Sequence, residues 1–235
     1  PAGDSILEEE LLAVWNGRIV RVGLKPDLKD HSDSHQYSSN QQVKPDIVGK
    51  FLRNVGLLAV DGAEFKLPLE GRHNTINFML ALAVAEELDV PWSELTSLRL
   101  NVPPGHQDFY KVGSIKVIDE TYNSSPESVK AALDLLVSKK GRHFAVLGTM
   151  LELGEHSVAL HRQIVEYAAN LDVDGLVVVA SGVEAEVMKS AASAIRSFKV
   201  VSSPESAFKP LKSWMKSGDI VLLKGSRGVA IERLI

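Results

Sequence analysis

Three short segments gather amides, acids and cations where strands give way to helices. Asn74 and Asn77 follow Gly71 at a helix opening, beside His73; Asp119, Glu120, Tyr122 and Asn123 leave a strand and lead to Pro126; Lys224, Ser226 and Arg227 follow the last strand. Free N–H groups and the positive dipole end at a helix entrance favour a phosphorylated ligand. Asn74 and Asn77 share a helix face and can address one heterocycle, and amides suit adenine because each carries a donor and an acceptor. A helix cap plus a buried polar contact is the competing account of that pair. In the second segment a carboxylate suits a pair of ribose hydroxyls, while Tyr122 or Asn123 suits the base. The alternative there is two solvated acids, with Ser125 as N-cap and Pro126 at the first helical position. Two cations, a hydroxyl and free amides make Lys224-Gly225-Ser226-Arg227 a seat for a carboxylate or phosphate, although lysine-glycine turns after strands are common.

Several chemistries are excluded or disfavoured. No G-x-x-x-x-G-K-[ST] loop occurs in these residues, and Gly148 to Gly154 does not supply the G-x-G-x-x-G of a dinucleotide site. His156 and His161 are spaced so that they do not share a helix face well, and each reads as a surface or packed histidine. His31 and His35 have a spacing that could hold a metal on a helix, but their Ser-rich setting reads as a solvated loop.

The elements that must carry these residues follow from periodicity and punctuation. Ser5 and Glu8 form a capping box ahead of a first helix ending at Asn16-Gly17, and 18–24 alternates as a strand. Residues 25–45 are polar and read as a surface insertion. Segments 55–60 and 63–67 flank Asp61-Gly62, a hairpin signal. A helix over 73–88 and a shorter one from Ser93 to Leu100 precede Val102-Pro103-Pro104-Gly105, the best linker. Strands are expected at 115–118, 144–147, 176–180, 199–201 and 220–223, and helices at 126–137, 156–170, 183–197 and 204–215. Short continuous apolar strands alternating with helices predict an α/β fold with a mostly parallel sheet covered on both faces.

The 235 residues are 45% hydrophobic, enough for a sizeable core. A net charge of −4 argues against general nucleic-acid binding. The absence of cysteine removes disulfides, thiolate metal sites and thiol nucleophiles, and fits a reducing compartment. No apolar run approaches the roughly 20 residues that span a bilayer. The start at Pro1, with neither initiator Met nor signal pattern, reads as a cut within a longer protein.

Order and spacing carry more than any one segment. Gly-x-His-Asn-x-x-Asn before an Ala-rich helix, Pro-x-Gly before a hairpin, and Asp-Glu-x-Tyr-Asn into a Pro-started helix come first. Leu-Gly-x-Met-x-Glu-Leu-Gly followed by His, and Lys-Gly-Ser-Arg, complete a series that resembles the Mur ligase family, closest to its dipeptide-adding branch. The resemblance implies residues 1–102 as the C-terminal part of a central ATP-binding domain and 103–235 as a Rossmann-like C-terminal domain. It implies an ATP- and Mg²⁺-dependent peptide ligase of peptidoglycan precursor synthesis, with the metal ligands and P-loop upstream, so that this fragment alone is inactive. The carboxylate of UDP-N-acetylmuramoyl-tripeptide would be activated as an acyl phosphate and attacked by the amine of D-alanyl-D-alanine. Asn74, Asn77 and His73 would face the adenine, and Glu120 would hold the ribose, with Asp119, Tyr122 and Asn123 in the same nucleotide-facing loop. Lys224, Ser226 and Arg227 would line the dipeptide side.

A monomer without a membrane span is implied, cytoplasmic or, in a plastid-bearing source, in the stroma. The chain departs from the family's pattern where His106 and Gln107 stand in place of a phosphate-reaching Arg, which alone offers a forked, permanently charged guanidinium. Glu120 replaces an Asp, Ser124-Ser125 an Ala-Asn, and Thr149 an Asp. These departures motivate two alternatives, a catalytically weakened ligase-like structural or interaction subunit and a folylpolyglutamate synthetase-like ligase.

Overall fold

The computed structural model describes residues 5–25, 44–52, 57–96 and 98–235, with side chains from residue 9 onward. The polar insertion with His31 and His35, and the side chains of the Ser5/Glu8 capping box, lie outside the described residues. The chain divides into two compact units, Pro1–Leu100 and Asn101–Ile235.

In the first unit α1 (Ser5–Val14) precedes β1 (Val22–Leu24), β2 (Ile47–Leu52), β3 (Leu57–Val60) and β4 (Ala63–Lys66). The sheet order is β1-β2-β3-β4, with β1 parallel to β2 and the other neighbours antiparallel. The β3–β4 hairpin turns at Asp61 and Gly62, whose φ values of 45° and 84° suit the twist of a tight hairpin. α2 (Arg72–Glu87) buries Thr75, Phe78, Met79, Leu82 and Ala83, a helical stripe that packs with Leu58, Val60 and Phe65 of the sheet.

Three expectations change here. Strand 18–24 contracts to β1, and β2 lies where no strand was expected. The helix expected from Ser93 to Leu100 is one 3₁₀ turn, Trp92–Leu95. Trp92 anchors the start of that turn: its indole N–H donates to Leu82 O at 3.1 Å and its ring meets Phe65 edge-on.

The second unit holds β5 (Asp108–Val112), β6 (Ile115–Glu120), α3 (Pro126–Val137), β7 (His143–Gly148), α4 (Ser157–Asn170) and β8 (Gly175–Val179). α5 (Gly182–Ala191), β9 (Ser197–Val201), α6 (Phe208–Trp214) and β10 (Ile220–Lys224) follow. The strand order is β5-β6-β10-β7-β8-β9, parallel throughout except β5, which runs antiparallel to β6. Alternate residues serve the two faces, the period-2 rule that makes these strands read as unbroken apolar runs. Ile118, Ala145, Leu176 and Leu222 pack with Leu133, Leu136, Ile164 and Met188 of α3, α4 and α5. Val117, Phe144, Val177 and Val221 pack on the other side with Ala207, Leu211 and Trp214.

The expected helix 183–197 ends at Ala191, because Ile195 is drawn into the core and Ser197 already opens β9. β5, the first arm of the hairpin implied by the resemblance, was absent from the expected strands. Its mostly exposed burial pattern gives no core-facing alternation to read. The last strand in sequence, β10, fills the slot between β6 and β7. The loops 119–125, 148–156 and 224–228 therefore lie side by side beyond the carboxyl ends of three adjacent strands, the usual ligand position in an open α/β sheet.

Candidate functional site

Parallel pairing sets Lys224 of β10 directly beside Glu120 of β6. Lys224 is 3% exposed at its side chain and Glu120 15%, and Lys224 Nζ lies 3.5 Å from Glu120 Oε2. The ammonium also donates to Asn123 O at 3.0 Å. Burial pushes the Glu120 carboxyl above its ordinary range, opposed by the Lys224 charge. Burial likewise pulls the Lys224 amine down, opposed by Glu120. Desolvation outweighs attraction at both ends, and the charged form of each group is favoured by the other's presence.

The loop after β6 is built by its own side chains. Asp119 is buried, and its Oδ1 accepts from Thr121 N at 3.0 Å and Thr121 Oγ1 at 2.6 Å. Asn123 Oδ1 accepts from Ser124 N at 2.8 Å. Ser125 caps α3 reciprocally with Ser128, with Pro126 in the first helical turn. Asp119 is thus neither solvated nor presented outward by this oxygen; it shapes the turn that presents Tyr122. Ser124 Oγ is buried with no hydrogen-bond partner.

A second turn docks against this loop. Gly105 O accepts from Tyr122 N at 3.1 Å, and Gly105 N donates to Asp108 Oδ2 at 2.8 Å. Gly105 has φ 82°, and a Cβ there would lie 2.9 Å from both Thr121 Oγ1 and Tyr122 N. Only glycine permits that approach. It brings His106 against Tyr122, ring centroids 4.0 Å apart and tilted by 35°. The Arg227 guanidinium stands 5.5 Å from the Tyr122 ring centre. His106, Tyr122 and Arg227 thus form a partly exposed aromatic and cationic surface beside the buried pair, able to stack on a base and to meet an anion.

Ser226 has a different placement from its neighbour. It is 4% exposed. Its Oγ accepts from Leu151 N at 2.9 Å and reaches Ser124 O at 3.5 Å, and its own N–H donates to Thr149 O at 3.4 Å. One serine ties all three loops together.

The remaining candidates belong to the first unit. Asn74 Nδ2 donates to Glu70 O at 2.8 Å, while Asn77 is exposed at the next position on that face. His73 is half-buried, its ring lying over the backbone of Gly71. The first turn of α2 carries no acid and no side-chain cap. Among the described residues no group of three or more His, Cys, Asp or Glu could hold a metal ion. No helix among them is long and apolar enough to cross a membrane.

Sequence reasoning does not single out Thr121 or Asp108, and it takes Gly105 only as part of a linker and of the Pro-x-Gly motif; the roles of all three depend on two turns meeting. The φ tolerance of glycine was the available signal.

Comparison with known proteins adds the family context. The family model "Mur ligase, glutamate ligase domain" matches residues 108–227. The chain is 34% identical over 235 residues to the UDP-N-acetylmuramoyl-tripeptide–D-alanyl-D-alanine ligase of Synechocystis sp., covering 99% of this chain and 47% of that one. It is 32% identical to the ligase of the same name from Mycobacterium leprae, over 73% of this chain and 37% of that one. The crystal structure of MurF ligase from Thermotoga maritima in complex with ADP aligns with a TM-score of 0.64 and 31% identity, over 81% of this chain and 45% of that one. The chain spans about half the length, or less, of the curated relatives it matches.

Proposed function

The chain belongs to the Mur ligase family, and on that premise we propose that it is part of an ATP-dependent peptide ligase joining D-alanyl-D-alanine to UDP-N-acetylmuramoyl-tripeptide in peptidoglycan precursor synthesis. The observation that carries the reading is one cluster within residues 108–227. Lys224, Glu120, Tyr122 and Arg227 meet beyond the carboxyl ends of β6 and β10.

ATP, when bound, supplies the phosphoryl group that activates the tripeptide carboxylate. Tyr122 and His106 offer the nucleotide a stacking surface, and Glu120 a carboxylate beside it. Asp119 and Asn123 hold that loop in shape. On the first unit Asn74, Asn77 and His73 present amides and an imidazole suited to adenine. Arg227 is the exposed cation suited to a peptide carboxylate. Lys224 fixes Glu120 and the Asn123 carbonyl, and Ser226 sets the three loops relative to one another. Catalysis of this kind rests on positioning and on neutralising developing charge. Mg²⁺ would add to that neutralisation, and the described residues offer no cluster of their own for it. The protein is proposed to act as a cytoplasmic monomer, where nucleotide-linked precursors and ATP are at hand.

The test uses the full-length protein with ATP, Mg²⁺, UDP-N-acetylmuramoyl-tripeptide and D-alanyl-D-alanine. ADP, phosphate and a new amide in equal amounts support the reading. No ADP formation dependent on the dipeptide overturns it. A second reading, a ligase-like structural subunit, draws on His106, which is packed on Tyr122 and lacks a guanidinium. Glutamate serving in place of the dipeptide would instead indicate the folylpolyglutamate branch.

A further inference from the structure

His161 on α4 is 1% exposed, and both its ring nitrogens are engaged. Met150 N donates to Nε2 at 2.9 Å, and Nδ1 lies 2.7 Å from Ser157 O. An amide N–H arriving at Nε2 needs a lone pair there, so the ring proton sits on Nδ1 and goes to Ser157 O. One tautomer satisfies both contacts. Ser157 is itself held, since its hydroxyl donates to Glu184 Oε1 on α5 at 2.9 Å.

The next amide in the chain faces the other way. Leu151 N donates to Ser226 Oγ, while Ser226 N donates back to Thr149 O. Two consecutive amides of the loop after β7 are therefore pinned from opposite sides, Met150 by α4 and Leu151 by the loop after β10.

We infer that His161 is a positioning residue. Its Nδ1-protonated ring holds the 149–151 turn in the place Ser226 requires, and through Ser226 it fixes Arg227 beside Tyr122. It touches none of the groups offered to ligand. Its effect on ligation rests on the proposed function; the mechanical link to Ser226 does not.

The test compares His161→Leu and His161→Gln in the full-length protein by residue-resolved hydrogen exchange and by kinetics. Leucine removes both contacts. Glutamine places a carbonyl oxygen near the position of Nε2 and keeps an acceptor for Met150 N–H. His161→Leu is expected to raise amide exchange at Met150, Leu151 and Ser226 together. It should also raise KM for the dipeptide about two- to fivefold, the order expected when the exposed Arg227–Tyr122 contact is loosened, with a smaller change in KM for ATP. His161→Gln should restore most of both.

Wild-type exchange at Ser226 in His161→Leu would overturn the inference. So would exchange at Ser226 left high by His161→Gln while Met150 is again protected. If His161→Leu does not fold, the second comparison still decides. If the wild-type protein forms no product, the ligase reading fails, while the exchange data still judge His161.

Discussion

Lys224 and Glu120 face one another across the β10–β6 register at 3.5 Å, and burial drives both toward their neutral forms. Each is the other's main reason to stay charged, with Asn123 O as the remaining partner of the ammonium. The pair is better understood as a fixed, interdependent dipole at the mouth of the sheet than as a source of stability.

Removing one member should therefore cost more than removing both. Lys224→Met leaves an uncompensated carboxylate and is expected to destabilise the protein by about 3–5 kcal/mol, whereas Lys224→Met with Glu120→Gln should recover most of that loss. Urea denaturation of the single and double variants gives the coupling directly.

The same pair sets a pH signature. Because the folded Glu120 pKa is raised above 4.5, its contribution to stability is full below that value and fades as pH rises through the folded pKa. Lys224 is lowered from 10.5, so its contribution is full above that value and fades as pH falls through its folded pKa. Both act against the folded state near neutrality. Carboxyl-carbon NMR should find Glu120 titrating above 4.5, and higher still in Lys224→Met. A midpoint at or below 4.5 would contradict the account.

Gly105→Ala should disturb the site from outside it. The new Cβ meets Tyr122 N and Thr121 Oγ1 at 2.9 Å, and the left-handed backbone adds about 1–2 kcal/mol of strain. Loss of the His106–Tyr122 stack, read as a change in Tyr122 ring shifts by NMR, is the expected result. Unchanged shifts would mean the two turns are not coupled.

Tyr122→Phe should be nearly silent, since the ring and not the hydroxyl contacts His106 and Arg227. Tyr122→Ala frees the guanidinium and should raise KM for the dipeptide about two- to fivefold, the worth of an exposed cation–π contact. Equal effects of both variants on steady-state kinetics would place the hydroxyl, not the ring, in the working role.

Much of the second unit was legible because its strands are buried on both faces and its helices are punctuated. Pro126–Val137 opens with Ser125 and Pro126 where they were expected. β2 and β5 were not. β5 keeps Phe109, Tyr110 and Val112 exposed, so no alternation marks a core face. The site was legible as a set of loops but not as a division of labour. Lys224 and Arg227 look alike in sequence, yet register buries one beside Glu120 and leaves the other over Tyr122. Ser226 read as a ligand-facing hydroxyl, yet its depth and its contacts with Leu151, Thr149 and Ser124 make it a joint. Contacts between loops far apart in sequence leave no local pattern to read.

The central claim, that this loop cluster serves ligation, is tested most directly by phosphate release from the full-length protein with and without D-alanyl-D-alanine, comparing wild type with Arg227→Ala. Dipeptide-dependent release in the wild type, weakened in the variant by a raised KM for the dipeptide and restored at high dipeptide concentration, is the predicted result. Release indifferent to the dipeptide, or an Arg227→Ala variant with wild-type KM, would contradict it.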